Sequence, residues 1–210
     1  VAGLYERFIL PRLVGCACAS RPLQRRRPGV ISQAVGVVVE MGFGAGANLP
    51  FYEAGRVERI IAVEPSREML ALNRAARRTD IAVEDVARGA EDTGLPDACA
   101  DTVVITFSLC TIPAPDAALR EARRLLKPGG RLLFLEHGRA PDPAIARQQR
   151  LLEPVWRRLA GGCHLTRDPV ALIEAAGFVC EQVESSYLPR TPRFAGYASW
   201  GAAAPPGGQA

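Results

Sequence analysis

The sequence predicts an α/β domain built on a doubly wound, mostly parallel sheet. From Val35 onward, short apolar runs alternate with segments of helical period, the pattern of strand–helix–strand units. The runs are near-continuous in Val, Ile and Leu, as expected for strands buried on both faces. The third sign is the glycine-rich turn behind the first run, VVVEMGFGAGANLP (37–50), where bare backbone lets the chain leave a strand sharply.

Taken in order, VGVVVE (35–40), RIIAVE (59–64), DIAVEDVA (80–87), DTVVITF (101–107) and GRLLFLEH (130–137) read as strands. Pro65 and the capping residue Ser66 open a helix running through Arg78. A second helix carries Ala118, Leu119, Ala122, Leu125 and Leu126 on one face and stops at Pro128 and Gly129. DPVALIEAAGF (168–178) reads as a helix closed by Gly177. The runs after it, FVCEQVESSYL and RFAGYASW, are close enough to pair as a hairpin on the sheet edge. Residues 1–34 form an N-terminal helical extension or lid, 35–201 the domain, and 202–210, AAAPPGGQA, a disordered tail.

With 210 residues, 48% of them apolar and 23% charged, the chain has the composition of a globular protein with a full core. No apolar run reaches the roughly 18 residues of a membrane span. The apolar start VAGLYERFILPRLVGCACAS is interrupted by Glu6, Arg7, Pro11 and Arg12, so it reads as a retained segment of a cytoplasmic protein. The arginine cluster RPLQRRR (21–27) reads as a solvated loop, with phosphate or anionic headgroups as its other partners. The apolar start and this cluster together allow peripheral membrane contact. The oligomeric state is open. Cysteines 16, 18, 99, 110, 163 and 180 include no CxxC pair, which predicts reduced thiols and no metal site. Cys16 and Cys18 with Cys163 and His164 lack the two-to-four-residue spacing that begins a structural zinc site.

Gly42, Gly44 and Gly46 sit where open parallel sheets bind ligands, beyond the end of the first strand. The GxxxxGK[ST] phosphate loop is missing, and the GxGxG spacing departs from the GxGxxG of dinucleotide sites. Glu40, just ahead of the glycines, repels a pyrophosphate and attracts an ammonium. Glu64 ends the second strand, eighteen residues after Gly46, where a carboxylate accepts both hydroxyls of a ribose. A ligand with a ribose diol and a cationic amino-acid end is S-adenosylmethionine.

On these residues the sequence resembles the class I S-adenosylmethionine-dependent methyltransferases. VVVEMGFGAG is similar to their first motif, RGAEDTGLPDACADTVV to their adenine-binding region, and LLKPGGRLLF to the turn before their fifth strand. More narrowly, YERFILPRL, GANLPFY, TFSLCTIP, FLEHGR, LLEPVW and GGCHLTRD resemble bacterial relatives of the methyltransferase-like alkyl thiol methyltransferases. The resemblance implies a Rossmann-like, seven-stranded sheet with the last strand antiparallel. It places Glu40, Gly42, Phe43, Gly44, Gly46 and Asn48 at the methionine end of the donor. Glu64 and Pro65 fall at its ribose, Ala90 and Glu91 at its adenine edge, and Thr106 and Phe107 nearby. Gly89 stands where related enzymes often carry Asp, which shifts adenine anchoring to backbone or to Glu91.

The acceptor is expected beyond strands four and five, against Ser108, Cys110 and Glu136, with Tyr5 and Cys163 completing its pocket. Phe8 and Leu13 belong with Tyr5 to a lid or a structural brace. Trp156 and Tyr187 read as pocket or core aromatics. His137 is the first candidate base, because imidazole titrates near neutral pH, and His164 the second; hydrogen-bonded loop histidines are the other reading. A small, apolar thiol is the leading acceptor. The alternatives are N- or C-methylation of a lipid headgroup or quinone precursor, a thiol-bound metalloid at Cys110 and Cys163, and a non-catalytic S-adenosylmethionine-binding module. A nucleic-acid substrate is not expected, because SLCTIP stands where base amino-methylating enzymes carry an NPPY-like tetrad.

Overall fold

The structure, a computed structural model, describes residues 21–207. The expectations for Tyr5, Phe8 and Leu13, and for most of the extension, lie outside these residues. Two short helices, α1 (Arg21–Gln24) and α2 (Arg27–Ile31), precede β1 (Gly36–Met41). There follow β2 (Val57–Val63), α3 (Arg67–Ala76), β3 (Ala82–Val86), β4 (Ala100–Thr106), α4 (Pro115–Leu125) and β5 (Leu126–His137). The chain continues through α5 (Pro143–Leu159), α6 (Pro169–Ala175), β6 (Val179–Tyr187), α7 (Arg193–Gly196) and β7 (Tyr197–Ala204).

The seven strands form one sheet in the order β3-β2-β1-β4-β5-β7-β6. β1 pairs in parallel with both β2 and β4, so the order reverses there and opens a crevice at the strand ends. The terminal hairpin forms as expected, but β7 enters between β5 and β6, antiparallel to each. β6 therefore takes the edge. Strand β7 also runs past the expected domain boundary: Ala202 and Ala203 pair with Leu133 and Leu132 of β5 and are buried. Their small side chains suit a buried strand, so the expected disordered tail does not start at 202.

Strand alternation sets the two sides of the core. Val37, Val39 and Met41 pack with α4 and α6 residues such as Leu119 and Ile173. Val38 faces the other side with Ile60, Val104, Leu133 and the α2 residues Val30 and Ile31. By the same period of two, Glu40 of β1 and Thr106 of β4 share the α2 side.

Helix α3 is capped by Ser66, whose Oγ accepts the Met69 N–H at 3.2 Å, and ends at Ala76, two residues short of the expected Arg78. Helix α5 is a 17-residue element that the sequence reading left without bounds. Pro154 interrupts its hydrogen-bond ladder, and Leu151, Val155 and Leu159 are 71%, 59% and 60% exposed. Its apolar period therefore points outward. No helix of the described residues is long and apolar enough to cross a membrane.

Candidate active site

A cavity of about 380 Å³ occupies the crevice at the ends of β1, β2 and β4, within the usual range for small-molecule sites. Glu40, Gly42, Phe43, Gly44, Glu64, Pro65, Ala90, Glu91, Thr106, Phe107 and Ser108 all line it. Every one of these was singled out in the sequence.

The floor is a buried polar network. Tyr52 donates its hydroxyl to Glu40 Oε2 at 2.6 Å, and Asn48 donates Nδ2 to Glu40 Oε1 at 2.8 Å. Burial pushes the Glu40 carboxyl up to about 7, against the pull of Tyr52, Asn48 and Arg27. Arg27 hydrogen-bonds through Nη1 to Asn48 Oδ1 and to Thr106 Oγ1, and its guanidinium lies 5.4 Å from the Phe107 ring centroid. Arg27 is 2% exposed and lines the cavity. This corrects the reading of the arginine cluster as a solvated loop: α2 packs against the sheet through Val30 and Ile31, one helical turn from Arg27, and carries its head inward. The neighbouring Arg26 stacks on Trp200 at 4.4 Å.

Glu64 holds the glycine loop in shape. Its Oε2 accepts the Gly44 N–H and its Oε1 the Ser66 N–H, both at 3.0 Å. Burial raises its pKa, while those two N–H groups pull it down. Each oxygen keeps acceptor capacity toward the cavity. Gly42 has φ +80°, and a Cβ there would overlap Ser108 Oγ. Phe43 is buried with Leu49 and Tyr52, so it anchors the loop in the core.

Several expected residues do not line the cavity. Gly46, at φ +78°, lets the loop pass Asn73, whose Nδ2 a Cβ would overlap. Asn48 is fully buried and orients Glu40 and Arg27 rather than facing the cavity. Glu136 accepts the N–H groups of Ser108 and Leu109 at 2.7 and 3.1 Å, which pins the loop after β4, and burial pushes it up to about 7. His164 places Nδ1 2.9 Å from Glu153 of α5. Trp156 and Tyr187 pack edge-on against Phe194 and Tyr197.

His137, Cys110 and Cys163 form their own cluster beside the cavity. His137 Nε2 lies 3.1 Å from Cys163 Sγ, and Trp156 Nε1 donates to the same sulfur at 3.2 Å. Contact with Cys110, then with His137 and Trp156, holds the Cys163 thiol well below its usual range. Burial opposes a charged His137 ring, but Cys163 and Glu136 hold its pKa above the usual value. The cavity is lined further by Thr111, Ile112, Pro113, Ala160 and Gly161, and Ala114, next to Pro113, donates its N–H to Glu91 Oε1 at 3.3 Å. Sequence reasoning missed Arg27 and these residues except Gly161, which with Gly162 it read as letting the loop close over the pocket or as ending the preceding helix. Thr111, Ile112 and Pro113 lie within the stretch TFSLCTIP, but small uncharged side chains carry no chemical signature.

A family model described as a methyltransferase domain matches residues 39–134. Thiol S-methyltransferase TMT1B of Rattus norvegicus is 37% identical over 169 residues, covering 77% of this chain and 69% of that protein. The TMT1B of Homo sapiens is 32% identical over 196 residues, covering 86% and 80%. The chain belongs to the class I S-adenosylmethionine-dependent methyltransferases. An S-adenosylmethionine-dependent methyltransferase of Thermotoga maritima shares the fold with a TM-score of 0.65 at 19% identity, over 95% of this chain and 96% of that one. As a methyltransferase, the chain uses S-adenosylmethionine as its donor, and the cavity suits that molecule. It combines bare backbone at Gly42 and Gly44, an acid at the end of β2, and an Arg27–Glu40 pair of opposite charge. An amino acid's carboxylate and ammonium match such a pair.

Proposed function

We propose that the chain methylates the sulfur of a small, apolar thiol. The observation that carries this reading is the stretch of cavity lining formed by Thr111, Ile112, Pro113, Ala160 and Gly161, none of which carries a charge. The similarity to thiol S-methyltransferases supports it.

When bound, S-adenosylmethionine supplies an electrophilic methyl group on a positively charged sulfur. Glu40 receives its ammonium and Arg27 its carboxylate; Glu64 accepts the ribose hydroxyls, and Ala90 and Glu91 border the adenine. Gly42 and Gly44 admit the chain of the ligand against the backbone. The apolar lining, Phe107 and Ile112 among it, excludes water, which favours a reaction in which thiolate and sulfonium charges cancel. Positioning supplies most of the remaining acceleration. A thiol with pKa near 8.5 reaches its thiolate form without a dedicated base, in keeping with the absence of His137 and His164 from the cavity lining.

The test is mass-spectrometric detection of methylated products from a panel of alkyl thiols, amines, phenols and quinone precursors. Methyl thioethers as the dominant products support the reading. Turnover confined to amines, phenols or ring carbons rejects it.

The reading includes peripheral contact with an anionic membrane surface by a protein resident in the cytoplasm. Helix α5 supports it, since exposed Leu151, Val155 and Leu159 recur at helical spacing among exposed Arg147, Arg150, Arg157 and Arg158. Cosedimentation with vesicles that does not depend on anionic lipid rejects this part.

A further inference from the structure

The cluster beside the cavity has a composition that core packing does not call for. Cys110 comes from the loop after β4, His137 from the end of β5 and Cys163 from the loop after α5. Their two Sγ atoms and one imidazole nitrogen all lie within 4.8 Å of one another. The spacings between them, 27 and 26 residues, explain why no CxxC pattern announces the group. We propose that Cys110, His137 and Cys163 bind a thiophilic divalent cation of the Zn²⁺ class through two sulfurs and one nitrogen, with a fourth position left to water or another ligand.

The distances suit such an ion. Zinc bonds of about 2.3 Å to sulfur and 2.0–2.1 Å to nitrogen, at tetrahedral angles, separate S from N by about 3.5 Å and S from S by about 3.8 Å. The observed 3.1 Å between His137 Nε2 and Cys163 Sγ needs to open by only a few tenths of an ångström. The two cysteines have part of the supporting layer that metal sites use, while His137 Nδ1 has no hydrogen-bond partner among the described residues. Trp156 donates to Cys163 Sγ, and the His164 N–H donates to the Cys110 carbonyl at 2.8 Å, joining two of the ligand loops. Arg167 donates Nη1 to the carbonyls of Leu109 and Ile112, on either side of Cys110. Occupancy ties together the segments that carry Thr111, Ile112 and Gly161, so the ion braces that part of the cavity lining. This inference stands apart from the identity of the acceptor.

The experiment uses the full chain, reduced with a non-thiol phosphine and freed of metal. Zn²⁺ retention after dialysis is measured by elemental analysis, and Co²⁺ titration is followed by absorption. The expected result is a single equivalent of tightly held Zn²⁺ and a tetrahedral Co²⁺ spectrum with thiolate charge-transfer bands. Zn²⁺ should also raise the melting temperature. Cys110→Ser and Cys163→Ser each abolish retention, while Trp156→Phe weakens it roughly ten- to hundred-fold. Cys180→Ser and the Cys16→Ser/Cys18→Ser double variant leave it intact. Absence of thiolate bands in the unmodified chain overturns the proposal, whether or not the serine variants fold. So does retention lost only in the Cys16→Ser/Cys18→Ser variant.

Discussion

Arg27 and Glu40 face each other across the floor of the cavity, joined through Asn48, which takes a hydrogen bond from the arginine and gives one to the carboxylate. An opposite-charge pair held by a shared amide suits a zwitterion. If Arg27 holds the ligand carboxylate as proposed, Arg27→Met removes a charge-assisted interaction of about 1.5–3 kcal/mol and should weaken S-adenosylhomocysteine binding roughly ten- to hundred-fold. Arg27→Lys keeps the charge but loses the fork and should fall between. 5′-Methylthioadenosine has no amino-acid end, so its affinity should not change. Calorimetry with both ligands checks this, and equal loss for both would point to a collapsed cavity instead.

The Glu40 carboxyl, raised by burial from 4.5 to about 7, ties pH to both stability and binding. Its folded pKa lies above the unfolded one, so the contribution to stability is full below pH 4.5 and is lost as pH rises toward about 7. Denaturant midpoints of the ligand-free protein should decline over that window. Glu40→Gln should flatten part of the decline, with Glu136, raised to about 7 by the same cause, and Glu64, also raised by burial, contributing to the remainder. An ammonium placed on Glu40 favours its ionised form. Below pH 7, S-adenosylhomocysteine binding should therefore release a proton, measured from the dependence of binding enthalpy on buffer ionisation. No release in the unmodified protein would separate the ammonium from Glu40.

How much of this was legible depended on whether a residue's role is local. Gly42, Gly44, Glu40 and Glu64 were readable because a strand followed at once by a turn fixes their position by sequence spacing alone. Alternation along β1 also put Glu40 on a definite face. Arg27 was not readable, since its burial depends on α2 docking across the sheet, and an arginine-rich string has the composition of a solvated surface. Helix α5 was hidden by Pro154 and by an outward apolar stripe. His137 was singled out as the first candidate base, but its partners in the fold, Cys110 and Cys163, are far away in sequence, and only the fold brings them to it.

Gly46 separates backbone strain from collision. Gly46→Ala puts a side chain at φ +78° and into Asn73 Nδ2, and should destabilise by about 1–3 kcal/mol from the backbone alone. Combining it with Asn73→Ala relieves the overlap but not the φ cost, so the double variant should be less destabilised than the two single changes added together. Urea unfolding of the four proteins measures this coupling. Strict additivity would mean that the loop shifts away from α3 without resistance.

Glu64 already accepts two backbone N–H groups, so its role toward a ribose must be separated from its role in the loop. Glu64→Gln retains one carbonyl oxygen and replaces the other with a donor, which faces either Gly44 or Ser66 unfavourably. A fall in affinity for S-adenosylhomocysteine alone does not distinguish the two roles. Comparing adenosine with its 2′,3′-dideoxy form does, because only adenosine presents the diol. The unmodified protein should prefer adenosine by roughly ten-fold or more, the equivalent of one charge-assisted hydrogen bond. In Glu64→Gln that preference should shrink several-fold while dideoxyadenosine binding changes less. If both nucleosides weaken equally, Glu64 shapes the glycine loop and the diol is held elsewhere.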